Sequence, residues 1–179
     1  MPTATQLKET GLSYFRLDQY ADAAQRFTEA AAAFEADGQP LDAAEMRNNV
    51  CVVRLAQKDW PAALAAVEGT PAVFQAAGDA TRHAHAVGNL ARALEGVERL
   101  EEAATAYEQA IDLYAALGPA ENENRAACYK ALSGIQIKQD KKFQALASMQ
   151  SGLNLTKALS PKEKTLKGLL DQVFKLMAR

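Results

Sequence analysis

His83 and His85, with Cys51 and Cys128, are the side chains that metal or nucleophilic chemistry would recruit first in this sequence. The two histidines stand two positions apart in a stretch that reads as helix, so their rings diverge and cannot chelate one ion together. No neighbouring cysteine or acidic cluster supplies further ligands, and both rings are expected to be exposed or to face a groove. Cys51 and Cys128 fall in different segments, form no disulfide framework and are expected as free thiols. There is no phosphate-cradling glycine loop, no G-x-S-x-G and no pair of acids set on one face of an obvious pocket. The sequence reads as non-catalytic, without metal or cofactor, and the chemistry left to it is binding.

Charge narrows what could be bound. The formal net charge of −2 conceals a split: residues 1–124 hold 9 Lys/Arg against 19 Asp/Glu, and residues 125–179 hold 11 against 3. A basic end carrying Arg125, Lys130, Lys138, Lys141, Lys142, Lys157, Lys162, Lys164, Lys167 and Lys175 could meet an acidic partner, self-associate head to tail with the acidic front, or touch nucleic acid. Against nucleic acid stand the dominance of Lys, the scarcity of aromatics there (Tyr129, Phe143, Phe174) and the repulsion of phosphates by the acidic two-thirds. A membrane role is not expected either. No apolar run approaches the ~20 residues that cross a bilayer, and the first residues lack the basic and apolar segments of a secretory signal. A cytoplasmic protein is the expectation.

The elements that must position these groups follow from a fixed period. In 100–118, small or apolar side chains at Ala103, Ala104, Tyr107, Ala110, Ile111, Tyr114 and Leu117 make the stripe of an amphipathic helix, with Glu101, Glu102, Glu108, Gln109 and Asp112 on the wet face. Gly118-Pro119 stops it. Shifting back by 40 and 80 residues reproduces the unit: Phe34, Phe74 and Tyr114 are equally spaced, as are Gly38, Gly78 and Gly118, Ala23, Ala63 and Ala103, and Asn49 and Asn89. Fixed-period self-similarity marks a stacked repeat array. Alanine at 38 of 179 positions favours helix and close helix approach. The chain therefore reads as all-α.

Helices are expected over 5–17, 20–36, 41–57, 60 onward, 81–96, 100–117, 124–139, 142–157 and 161–177. Gly69-Thr70-Pro71 interrupts the fourth with a kink or break, because Pro71 removes a hydrogen bond and clashes with the preceding turn. The register slips by one or two residues at DKKF in the fourth unit. Ser160-Pro161-Lys162-Glu163 reads as a capping box. The last helix puts Leu166, Leu169, Leu170, Val173, Phe174 and Met177 on one face, expected to dock on the fourth unit as a cap.

Ala23, Ala63 and Ala103, each four residues before Phe27, Val67 or Tyr107, with Ala30 and Ala110 beyond, resemble the second helix of a tetratricopeptide repeat. Gly11 before Tyr14 resembles its first helix. The family's standard unit is 34 residues, and this one is a longer 40-residue variant, similar to the repeats of kinesin light chains and several bacterial regulators. The resemblance covers residues 4–160. It implies a right-handed α-solenoid of about four helix pairs, 4–40, 41–80, 81–120 and 121–160, closed by a capping helix at 161–179. It also implies a protein-interaction scaffold whose first helices line a concave groove.

Projected on that groove are Lys8, Asn48, Asn49, His85, Asn89, Arg92 and Lys130, with Leu12, Phe15 and Val52 between them. Asn can pair with both the N–H and the C=O of an extended peptide, while Lys and Arg take carboxylates. The expected partner is a protein or peptide, with an acidic one suited to the basic residues. Lys8, Asn49 and Arg92 also match the carboxylate clamp of heat-shock chaperone cofactors, but Leu12 and Gly88 depart from it. The readings set beside this one are a self-assembling homo-oligomeric adaptor and a nucleic-acid-associated regulator.

Overall fold

The computed structural model describes residues 2–177, and no strand occurs among them. The helices are α1 (Ala4–Arg16), α2 (Tyr20–Ala36), α3 (Pro40–Ala56), α4 (Trp60–Val67), α5 (Thr70–Ala76), α6 (Ala80–Gly96), α7 (Leu100–Leu117), α8 (Asn122–Lys138), α9 (Lys142–Leu155) and α10 (Pro161–Met177). A short 3-10 turn, Pro119–Glu121, precedes α8. The chain divides into two compact units, Met1–Ala106 and Tyr107–Arg179, with the boundary inside α7.

The 40-residue period is written in the backbone. Gly38, Gly78 and Gly118 all have positive φ (70°, 70° and 95°) one or two residues after a second helix ends, where a side chain would be strained. A second left-handed series, absent from the sequence reading, closes the first helices: Asp18, Lys58 and Glu98 at φ 57°, 60° and 62°, then Asp140 at φ 58°. The first three are 40 apart and the last is 42 further on, so the expected slip is two residues.

In the first unit, small residues let helices close on aromatic anchors. Phe27, Phe34, Met46 and Val53 form one core with Ala23, Ala30 and Leu7. Cys51, Leu55, Val67 and Ala93 form a second under Trp60 and Leu90, and Phe74 sits with Ala44 and Ala86 in a third. Burying each large side chain is worth about 1.5–3 kcal/mol. Gly11 and Gly96 are needed for approach: a Cβ there would lie 2.8 Å from the Phe27 ring and 2.4 Å from the Trp60 ring.

The expected interruption is a full break between α4 and α5, with Gly69 at φ 81°. Pro71 cannot donate to the Val67 carbonyl, and the buried Thr70 hydroxyl donates to that oxygen instead, at 2.9 Å. Phe74 thereby keeps its place in the period.

In the second unit, Tyr107, Ala110, Ile111 and Tyr114 of α7 are buried, as are Leu132 and Ile135 of α8 and Leu153 of α9. The capping box at α10 forms: the Glu163 amide donates to Ser160 Oγ at 3.3 Å, and the Ser160 amide donates to Glu163 Oε2 at 2.9 Å. Its apolar stripe docks in part, with Phe174 half-buried beside Leu170. Only Leu170 is buried, whereas Leu166, Leu169, Val173 and Met177 are 39%, 56%, 40% and 57% exposed. A helical period decides which side chains share a face. Burial needs a neighbour broad enough to cover it, and α9 opposes this face in part only. Residues 178–179 of the expected capping segment lie outside the described residues.

Candidate functional site

The polar face of the first unit is built on α1, α3 and α6, the first helices of successive pairs. Each is fixed at its start. Thr3 and Gln6 form a reciprocal capping box on α1, with the Gln6 amide donating to Thr3 Oγ1 at 3.2 Å and the Thr3 amide to Gln6 Oε1 at 2.9 Å. Pro40 opens α3, and the Asp79 side chain caps α6 by accepting from the Arg82 amide at 2.9 Å.

Across this face runs a ladder of charge. Lys8 Nζ donates to Glu45 Oε1 at 2.6 Å, and Arg82 Nη1 donates to Glu45 Oε2 at 3.1 Å. One carboxylate thus ties α3 to both neighbours. Arg82 is further held by Asp79, its Nε donating to Oδ2 at 2.7 Å, and lies 5.5 Å from the Phe74 ring centroid. The Asp79 hydrogen bond, then the charges of Asp79 and Glu45, hold the Arg82 guanidinium above its ordinary range. Hydrogen bonds from the Arg82 backbone and side chain hold Asp79 below its own.

Two turns along from Arg82, toward the C-terminal end of the same helix, Asn89 Nδ2 donates to Asn48 Oδ1 at 3.2 Å. Asn49, His85 and Asn89 are half-buried and Arg92 is exposed. The charge of Arg92 acts on Cys51, but burial outweighs it and pushes that thiol up to about 12, so Cys51 stays protonated and inert.

Of the residues expected on the groove, six lie in this unit. Asn48 and Asn89 are bonded to each other, Lys8 is already paired, and Asn49, His85 and Arg92 occupy the same helices. Lys130 belongs to the other unit, where its ammonium donates to Glu163 Oε1 at 2.9 Å and pins α10 to α8. His83 departs from its expected exposure: it is buried, lining a cleft with Gln75, Gly78, Asp79 and Ala80. Glu45 and Arg82 were missed. Their signal was a spacing of 37, from Lys8 to Glu45 and again to Arg82. That spacing is one helical turn short of the repeat, because bridging side chains on adjacent helices meet one turn out of step.

Among the described residues no group of three or more His, Cys, Asp or Glu is placed to hold a metal ion, and no helix is long and apolar enough to cross a membrane. Residues 42–116 match the family model of the tetratricopeptide repeat. No curated protein sequence matches the chain.

Solved structures do resemble it. MamA 41-end from Desulfovibrio magneticus RS-1 is 24% identical with a TM-score of 0.65, over 85% of this chain and 75% of that one. A MamA RS-1 ArsTM double mutant is likewise 24% identical with a TM-score of 0.65, over 85% and 74%. BtubC (BKLC) from P. vanneervenii is 15% identical with a TM-score of 0.76, over 88% and 66%. These likenesses establish the fold, an α-solenoid of paired helices.

Proposed function

Starting from the tetratricopeptide-repeat match over residues 42–116, we propose that this chain is a non-catalytic interaction scaffold. Its binding face, formed by α1, α3 and α6, holds an extended peptide or a helix of a partner protein. The observation that carries this reading is the cross-linked polar face itself. Lys8–Glu45–Arg82 and Asn48–Asn89 tie three successive first helices together, so the helices that carry the neighbouring side chains are held in place before a ligand arrives, which lowers the entropy cost of binding.

Binding is left to groups the ladder does not consume. The Asn49 amide offers a donor and an acceptor to a peptide backbone, and the exposed Arg92 guanidinium offers a fork to a carboxylate. Lys8, already committed to Glu45, sets geometry and does not grip the ligand. An acidic or C-terminal carboxylate near Arg92 is the ligand feature that fits.

Selection of binders from a random peptide display library on the full chain tests this. Asn49→Ala and Arg92→Ala are expected to weaken the selected peptides about tenfold each, consistent with ~1.4 kcal/mol, without moving the melting temperature. Peptides that bind both variants as tightly as the parent protein would sink the assignment.

A further inference from the structure

Eight of the nine exposed large hydrophobic side chains among the described residues lie between 137 and 177, with Phe143, Leu169 and Leu176 among the most open. Three of them, Ile137, Leu146 and Leu166, line a cleft of about 500 Å³ between α8, α9 and α10 together with Met149 and Leu170, and Ser133 and Lys142 complete its wall. An apolar patch of this kind on a soluble fold marks a surface that something covers.

The charge around the cleft says what kind of chain does so. Residues 125–179 carry 11 Lys/Arg against 3 Asp/Glu. Those acids are already taken: Glu163 by Lys130, Asp171 by Lys167 and Asp140 by Lys142. Lys138, Lys141, Lys162, Lys164 and Lys175 have no ion-pair partner among the described residues, and all stand on or beside the helices that form the cleft.

A second copy of this chain does not supply the complement. Pairing two such basic faces brings like charges together. Among the described residues the acidic part offers a single exposed large hydrophobic, Leu17, and the outward side of α1 is Thr5, Gln6, Glu9 and Ser13, which has nothing to fill an apolar cleft.

We propose that this cleft is a second docking site, separate from the polar face of α1, α3 and α6, and that its occupant is an acidic amphipathic helix of another protein. Leucine-type side chains at helical spacing enter between α9 and α10, and flanking Glu or Asp meet the unpaired lysines. Recognition of an apolar stripe laid into a groove is a general mode of helix binding. The acids set orientation and exclude basic helices by repulsion.

The test is fluorescence anisotropy on the full chain with three labelled 18-residue synthetic peptides. One has Leu at i, i+3, i+4 and i+7 with Glu elsewhere, one has the same Leu positions with Lys, and one scrambles the Leu–Glu sequence to break the stripe. The acidic striped peptide is expected to bind at least tenfold tighter than either control. That binding should fall at least tenfold in Leu166→Asp and in Leu146→Asp, and should be unchanged in Asn49→Ala, which reads out the other face. Circular dichroism confirms that both Asp variants remain helical, and Lys164→Glu with Lys138→Glu provides a second route to the same loss without touching an apolar residue.

Equal binding of the Glu and Lys peptides would overturn the proposal, as would indifference to both sets of variants. It would also fall if light scattering showed a dimer that Leu166→Asp converts to monomer. Co-sedimentation with phosphatidylserine vesicles that Leu166→Asp abolishes, with no binding of the acidic peptide, would assign the face to a lipid surface instead.

Discussion

The two units solve the same packing problem to different degrees. In the first, polar side chains on adjacent helices satisfy one another, and the hydrophobic residues are almost all covered, Leu17 being the one large exception among the described residues. The second holds every buried side-chain polar atom found without a hydrogen-bond partner among the described residues: Arg125 Nε, Ser133 Oγ, Gln136 Oε1 and Gln139 Oε1. It also holds the exposed apolar faces of α9 and α10. Buried polar groups are normally satisfied, and helical stripes normally meet a neighbour. The first unit covers its apolar side chains with its own residues, whereas the second leaves an apolar face open.

The contrast breaks most sharply on hydrophobic truncation. Phe74 is 1% exposed and Leu169 is 56% exposed. Phe74→Ala removes a packed ring and leaves a cavity, with an expected loss of about 3–5 kcal/mol. Leu169→Ala is expected to stay within about 0.5 kcal/mol of the parent. Urea unfolding of the full chain measures both, and a comparable loss from Leu169→Ala would mean that the α10 face is covered in the isolated protein.

That difference shows how far the sequence could be read. Phe34, Phe74 and Tyr114, with Gly38, Gly78 and Gly118, state the period because each does the same job in each copy: an anchor under a helix and a left-handed stop after it. Pro71 announces the break because its ring and missing N–H act locally. Glu45 was invisible to the same method. It is unlike its counterparts at 40-residue spacing, His85 and Arg125, and its meaning comes from Lys8 and Arg82, which are 37 residues away in each direction. The open face of α10 was invisible for a related reason, since periodicity identifies an apolar stripe and cannot identify the absence of a wall opposite it. Local chemistry and repetition were legible. Contacts between unlike residues on different helices were not.

Acid sharpens the comparison at the α8–α10 contact. The hydrogen bond from Lys130 and then those from the Ser160 backbone and hydroxyl hold Glu163 down from the ordinary 4.5 to about 2. A folded-state value below the unfolded one contributes stability that is fully present above about pH 4.5 and is lost as the pH falls toward 2. Docking of α10 is therefore expected to weaken over that window. Glu163→Gln should start from lower stability at neutral pH and lose less over the same interval. Thermal unfolding at about pH 6, 4 and 2.5 in both proteins tests this, and parallel losses would show that Lys130 and Ser160 do not hold α10 through this carboxylate.

The smallest expected effect carries opposite signs in the two units. Thr70 and Ser133 are both 1% exposed. The Thr70 hydroxyl donates to the Val67 carbonyl at 2.9 Å, whereas Ser133 Oγ has no partner among the described residues. Thr70→Val keeps the shape and orphans the carbonyl that Pro71 already fails to satisfy, so a loss of about 1 kcal/mol is expected. Ser133→Ala removes a hydroxyl that was desolvated without return, so a gain of up to about 1 kcal/mol is expected, less the small void it leaves. Urea unfolding midpoints at constant slope resolve shifts of this size. If Ser133→Ala destabilises as Thr70→Val does, the Ser133 hydroxyl has a partner in solution, and the second unit is as complete within its own residues as the first.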